Sequence, residues 1–115
     1  MSLKIYHNPR CSKSRQTLKL IEDAGEPVEK VLYLDAPLSE AEIAELLKKL
    51  GFKEARQLMR RGEAIYKELG LKTETNEKAL IKAMADHPKL IERPIVVKGN
   101  RAIMGRPPEN VQIFL

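Results

Sequence analysis

An α/β fold with a mixed sheet is predicted by three features of the sequence. Short apolar runs at Leu3 to Tyr6, Val28 to Leu34 and Ile95 to Val97 have strand character, and turn residues bound them. The stretch between the second and third runs carries apolar residues at helical spacing, interrupted by Gly51, Gly62 and Gly70. Residues 95–115 read as strand, tight turn, strand and helix. The element order is therefore βαβ, four helices, ββα.

Leu3 to Tyr6 is followed by the turn residues His7-Asn8-Pro9. Ser12 or Ser14 is placed to cap a helix that carries Leu18 and Ile21 on one face, and Gly25 and Pro27 stop it. In Val28 to Leu34, Val31 and Tyr33 alternate against Leu32 and Leu34. A βαβ unit of this kind has parallel strands and a right-handed connection. Ser39 and Glu42 form a capping box, and Ile43, Leu46, Leu47 and Leu50 follow at helical spacing before Gly51. Ala55, Leu58 and Met59 predict a short helix closed by Gly62. Ile65 and Leu69 predict another closed by Gly70. Asn76 is placed to cap a fourth, with Leu80, Ile81 and Met84 inward. Gly99-Asn100 suits a two-residue hairpin loop between Ile95-Val96-Val97 and Arg101 to Met104. Pro107-Pro108 then opens a final helix holding Val111 and Phe114. A βαβ half and a ββα half sharing one sheet is the thioredoxin layout. The expected organisation is one thioredoxin-like domain over residues 1–115 with a helical insertion at about 39–87.

Composition narrows the function. The chain has 115 residues, enough to bury a core without disulfides or metal. Lys and Arg number 21 against 16 Asp and Glu, a net charge of +5 that favours anionic partners. No long basic run is present and aromatics are only 4%, which argues against nucleic acid as a partner. No segment is apolar and long enough for a membrane span, and the first residues lack the pattern of a secretion signal. A lone cysteine cannot form an internal disulfide, which fits a reducing cytoplasm. The two histidines and one cysteine lie too far apart in sequence for metal-ligand spacing, so no metal is expected.

Cys11 carries the chemistry. It lies after a strand, in the loop that opens a helix, where free N–H groups and partial positive charge stabilise a thiolate. Arg10, Lys13 and Arg15 add charge. A buried structural cysteine is the commoner fate of a lone thiol. The polar turn Asn8-Pro9-Arg10-Cys11-Ser12-Lys13-Ser14 argues against that here. The motif is C-x-x-S, with Ser14 where a second sulfur would stand and placed to donate a hydrogen bond to the Cys11 thiolate. With one cysteine in the chain, oxidised Cys11 is resolved by an outside thiol.

Ile5-Tyr6-His7-Asn8-Pro9-x-Cys11-x-x-Ser14-Arg15-x-Thr17-Leu18 resembles the active-site segment of the glutaredoxin-linked ArsC arsenate reductases. Tyr66-x-x-Leu69-Gly70-Leu71, His87-Pro88-x-Leu90-Ile91-x-Arg93-Pro94-Ile95-Val96-Val97 and Arg106-Pro107 resemble further stretches of that family, in the same order. The chain ends at Leu115, short of the longer tail of the established reductases, and so resembles the shorter ArsC-like branch. The resemblance implies reduction of arsenate to arsenite, with Cys11 as nucleophile and Arg60, Arg93 and Arg106 as oxyanion-binding residues. It implies a cis Pro94 beside the cysteine and supporting roles for His7, Ser14 and Arg15. It also implies glutathione as co-substrate, glutaredoxin as partner and no bound cofactor. Guanidinium groups suit a tetrahedral oxyanion because they offer paired, charge-assisted hydrogen bonds. Arg60 has Arg61 beside it, and either is able to point inward.

Two other readings share the overall similarity. Spx regulators, which bind RNA polymerase, generally use a C-x-x-C switch that this chain lacks. A thiol reductase acting on another substrate, such as a glutathione mixed disulfide, would keep a low Cys11 pKa without a tight oxyanion site.

Overall fold

The computed structural model describes residues 2–115. The chain divides into two compact units, one made of residues 1–36 and 93–115 and the other of residues 37–92.

The first unit holds the sheet. Strands β1 (Leu3–Tyr6), β2 (Val28–Val31), β3 (Ile95–Lys98) and β4 (Arg101–Met104) stand in the order β2-β1-β3-β4. β1 runs parallel to β2, with Leu3 opposite Val28 and Tyr6 opposite Val31. β3 is antiparallel to both β1 and β4. The crossover from β1 to β2 is helix α1 (Ser12–Asp23), as a parallel pair requires. Leu3, Ile5, Ile21, Val96, Val111 and Phe114 form the core between sheet and helices, with Leu18, Leu20, Val28 and Ile103 packed against it. The β3–β4 hairpin turns at Gly99, whose φ of 61° suits a residue without a side chain. Ile95, Val96 and Val97 are buried, as expected for a strand covered on both faces.

Three expectations for this unit need correction. β2 stops at Val31 and does not reach Leu34. Its parallel partner β1 has ended at Tyr6, and the chain bends so that Asp35 and Ala36 donate back to the Leu32 carbonyl. Tyr33 is buried while Leu32 and Leu34 are exposed. The N-cap of α1 is Cys11, not Ser12 or Ser14. The closing segment, Pro108–Phe114, is a 3₁₀ helix rather than an α-helix. It still buries Val111 and Phe114, and Lys98 Nζ holds its last turn by donating to the Phe114 carbonyl at 3.3 Å.

The second unit is helical. It contains α2 (Glu40–Leu50), α3 (Ala64–Glu68) and α4 (Glu77–Asp86), with 3₁₀ turns at Ala55–Leu58, Leu71–Thr73 and Pro88–Leu90. The capping box at α2 forms in full: Ser39 Oγ accepts from Glu42 N–H and the Glu42 carboxylate accepts from Ser39 N–H. Such a cap contributes about 1 kcal/mol. Gly51 ends α2 with φ 74°. α2 packs on α4, burying Ile43, Leu46 and Leu47 from one and Leu80, Ala83 and Met84 from the other. Asn76 caps α4 by accepting from Lys78 N–H. In α3 the inward residue is Tyr66, whereas Leu69 is exposed. A five-residue helix is too short for a stripe at positions 65 and 69 to govern its orientation. Met59 and Ile91 form an antiparallel bridge, with Arg60 N–H donating to Leu90 O and Glu92 N–H to Leu58 O. Among the described residues no helix is long and apolar enough to cross a membrane.

Candidate active site

The β1–α1 connection builds the site. Asn8 Oδ1 accepts from Arg10 N–H at 3.0 Å, and Cys11 N–H donates to the Asn8 carbonyl at 3.0 Å. Arg15 Nη1 donates to the Pro9 carbonyl at 2.9 Å and fastens the loop from the helix side. Cys11 thereby sits at the N-cap of α1, whose first turn holds no acidic residue. The sulfur residue is 8% exposed, so it is screened from bulk water yet not sealed.

Opposing forces act on the Cys11 thiol. Burial pushes its pKa up. The backbone N–H of Ser14, the Arg93 guanidinium, the backbone N–H of Lys13 and the Arg106 guanidinium pull it down, and the net shift is downward. Arg106 Nη2 lies 3.6 Å from Cys11 Sγ. Arg106 Nε donates to the Arg93 carbonyl at 2.7 Å, so one guanidinium touches both the sulfur and the other arginine's backbone. The Arg93–Pro94 and Arg106–Pro107 peptide bonds are both cis.

Ser14 contributes differently from the sequence expectation. Its hydroxyl lies 2.7 Å from His7 Nδ1 and accepts from Asn8 N–H at 3.0 Å. Its backbone N–H is what favours the thiolate. Burial lowers the His7 pKa, Lys30 and Arg15 add to this, and Glu22 opposes it. The buried, neutral His7 thus holds Ser14 against the loop.

The first unit therefore brings Cys11, His7, Ser14, Arg15, Arg93, Pro94 and Arg106 around one loop cluster. Arg60 belongs to the second unit, and there its guanidinium forms ion pairs with Glu63 and Glu92. Among the described residues no group of three His, Cys, Asp or Glu side chains is placed to hold a metal ion.

Two further residues shape the site. A side chain on Gly105 would meet Thr17 Oγ1 at 2.6 Å and Pro94 Cγ at 2.7 Å, so only glycine fits. Gly105 N–H donates to the Pro94 carbonyl at 2.9 Å. Thr17, fully buried, donates to the Lys13 carbonyl at 2.8 Å beside it. Neither is among the site residues expected from the sequence, although a glycine directly after a strand and before Arg-Pro-Pro is a signal of close backbone approach.

A family model for the ArsC family matches residues 6–114. The chain belongs to the ArsC family. It is 56% identical over 110 residues to YfgD of Escherichia coli K12, an uncharacterized protein, covering 95% of this chain and 92% of that one. It is 48% identical over 114 residues to an arsenate reductase of Neisseria meningitidis serogroup A, covering 98% and 97%. Among solved structures it superposes on an arsenate reductase from Vibrio cholerae with a TM-score of 0.96 and 50% identity, covering 100% of this chain and 98% of the other. The mixed sheet is accordingly the thioredoxin-like fold of ArsC proteins. Within that fold the ArsC-like loop of this chain presents its one cysteine to two arginine-bearing loops.

Proposed function

We propose that this chain is a thiol-dependent reductase that converts arsenate to arsenite. The observation that carries the reading is the contact of Arg106 Nη2 with Cys11 Sγ, at a sulfur whose pKa is already lowered by helix N–H groups and Arg93. The names of the Neisseria and Vibrio relatives support arsenate as the substrate.

In this reading Arg93 and Arg106 bind the oxyanion through charge-assisted hydrogen bonds. The resemblance alone supports the same role for Arg60. The Cys11 thiolate attacks arsenic; an S–As bond forms, an As–O bond breaks, and the oxygen leaves with protons as water. A first external thiol then attacks arsenic; a second S–As bond forms and another As–O bond breaks, its oxygen leaving with protons as water. A second external thiol attacks that outer sulfur; an S–S bond forms, the outer S–As bond breaks and its electron pair stays on arsenic, which falls from As(V) to As(III). Water then takes the place of Cys11 on arsenic, which releases arsenite and returns Cys11 as thiolate. Glutathione and glutaredoxin are the proposed thiols, since the chain has a single cysteine and no second thiol to offer. A reducing cytoplasm is the compartment that supplies them. Phosphate shares arsenate's shape and charge but is not reduced by thiols, so turnover selects what binding does not.

A coupled assay with glutathione, glutaredoxin and glutathione reductase tests this. Arsenate-dependent NADPH consumption is expected, and Cys11→Ser should abolish it. Absence of arsenate-dependent turnover with any glutaredoxin rejects the reading.

A further inference from the structure

The second unit contains a concavity of about 570 Å³, none of whose lining residues has a role in the chemistry above. Arg56, Arg61, Tyr66, Lys67, Gly70 and Lys72 line it. Four of these six side chains are cationic and none is acidic. Arg56 is fixed in place by hydrogen bonds to Tyr66 Oη, the Leu71 carbonyl and the Glu74 carbonyl. All three acceptors are neutral, so the position of the guanidinium is set while its charge stays uncompensated. The Glu74 carboxylate is engaged elsewhere, accepting from Asn76 N–H. Arg61, Lys67 and Lys72 are exposed, and among the described residues none has a carboxylate within 4.0 Å. Elsewhere in the same unit Arg60 pairs with Glu63 and Glu92, and Lys82 with Asp86.

Like charges gathered on one concave wall repel one another and concentrate positive potential in the hollow. A bound anion removes that repulsion. A guanidinium held by three hydrogen bonds beside exposed ammonium groups suits a ligand with several clustered anionic oxygens, because the fixed fork orients one group and the long lysine side chains reach the others. We propose that this basin binds a small polyanion with linked phosphoryl groups, at a site lined wholly by residues of the helical unit.

The test uses full-length protein and inorganic tripolyphosphate as probe, titrated by calorimetry in the presence of saturating arsenate, which occupies the proposed oxyanion site. The triple variant R61Q/K67Q/K72Q changes exposed side chains only. Binding to the parent chain, at least a tenfold loss of affinity in the variant and an affinity that falls steeply with added salt are expected. Arsenate protection of Cys11 against alkylation should be the same in both proteins, which separates failure of this site from failure of the reductase reading. No tripolyphosphate binding under arsenate, or equal binding by parent and variant, overturns the proposal. So does binding of an acidic peptide of matched charge without binding of tripolyphosphate.

Discussion

Cys11 and His7 are the two groups whose titration the fold shifts most usefully. For Cys11 the sign is that of a depressed acid: the folded chain favours the thiolate more than the unfolded chain does. That contribution to stability is full above the ordinary thiol pKa and is lost as pH falls through the lowered folded value. Alkylation rate against pH should give a midpoint below that of a free thiol, and Arg106→Gln should raise it, with Arg93→Gln acting in the same direction. For His7 the neutral form is favoured in the fold, so the unfolded chain takes up protons first. Stability should therefore decline as pH falls from the ordinary histidine pKa toward the lowered one. Urea midpoints measured at neutral and mildly acidic pH check this, and the decline should shrink in His7→Gln. Arg60 carries a further expectation if it serves the oxyanion. Glu63 and Glu92 compete for the guanidinium, so Glu63→Gln should lower KM for arsenate several-fold and leave kcat nearly unchanged.

At the scale of elements, the loop after β4 matters most. Gly105 brings backbone against Thr17 and Pro94, and Arg106 follows directly. Gly105→Ala forces atoms apart in a packed region, at a cost of about 1–3 kcal/mol. A lower thermal midpoint is expected, together with a raised Cys11 pKa as Arg106 moves off the sulfur. Thr17→Val should reproduce part of the stability loss with less effect on the thiol. Much at this scale was legible in the sequence. The Ser39–Glu42 box, the Gly51 stop, the Asn76 cap and the Gly99 turn all stand where local chemistry put them. What was hidden depends on contacts distant in sequence. The end of β2 depends on where β1 stops pairing. The orientation of α3 depends on Tyr66, whose hydroxyl accepts from Arg56 ten residues earlier. The site divides the same way. Cys11 and its helix were readable from adjacent residues, whereas the use of the Ser14 hydroxyl by His7 and Asn8 needed the folded loop.

For the whole molecule the decisive count is one thiol, Cys11, in 115 residues. Mild oxidation with glutathione present should yield a single mixed disulfide at Cys11, read by mass spectrometry as one glutathione per chain. An internal disulfide cannot form. The Arg93 and Arg106 charges beside this thiol should also make arsenate protection weaken as salt is added.

The bond from Arg106 Nε to the Arg93 carbonyl has a consequence for how such a pocket changes over time. The strap bearing one guanidinium is buttoned to the strap bearing the other, so neither is free to drift alone. Both guanidinium groups also act on the one sulfur, so single replacements at the two positions should be non-additive in a double-mutant cycle. A lineage shifting its taste from one oxyanion to another would have to retailor both straps together.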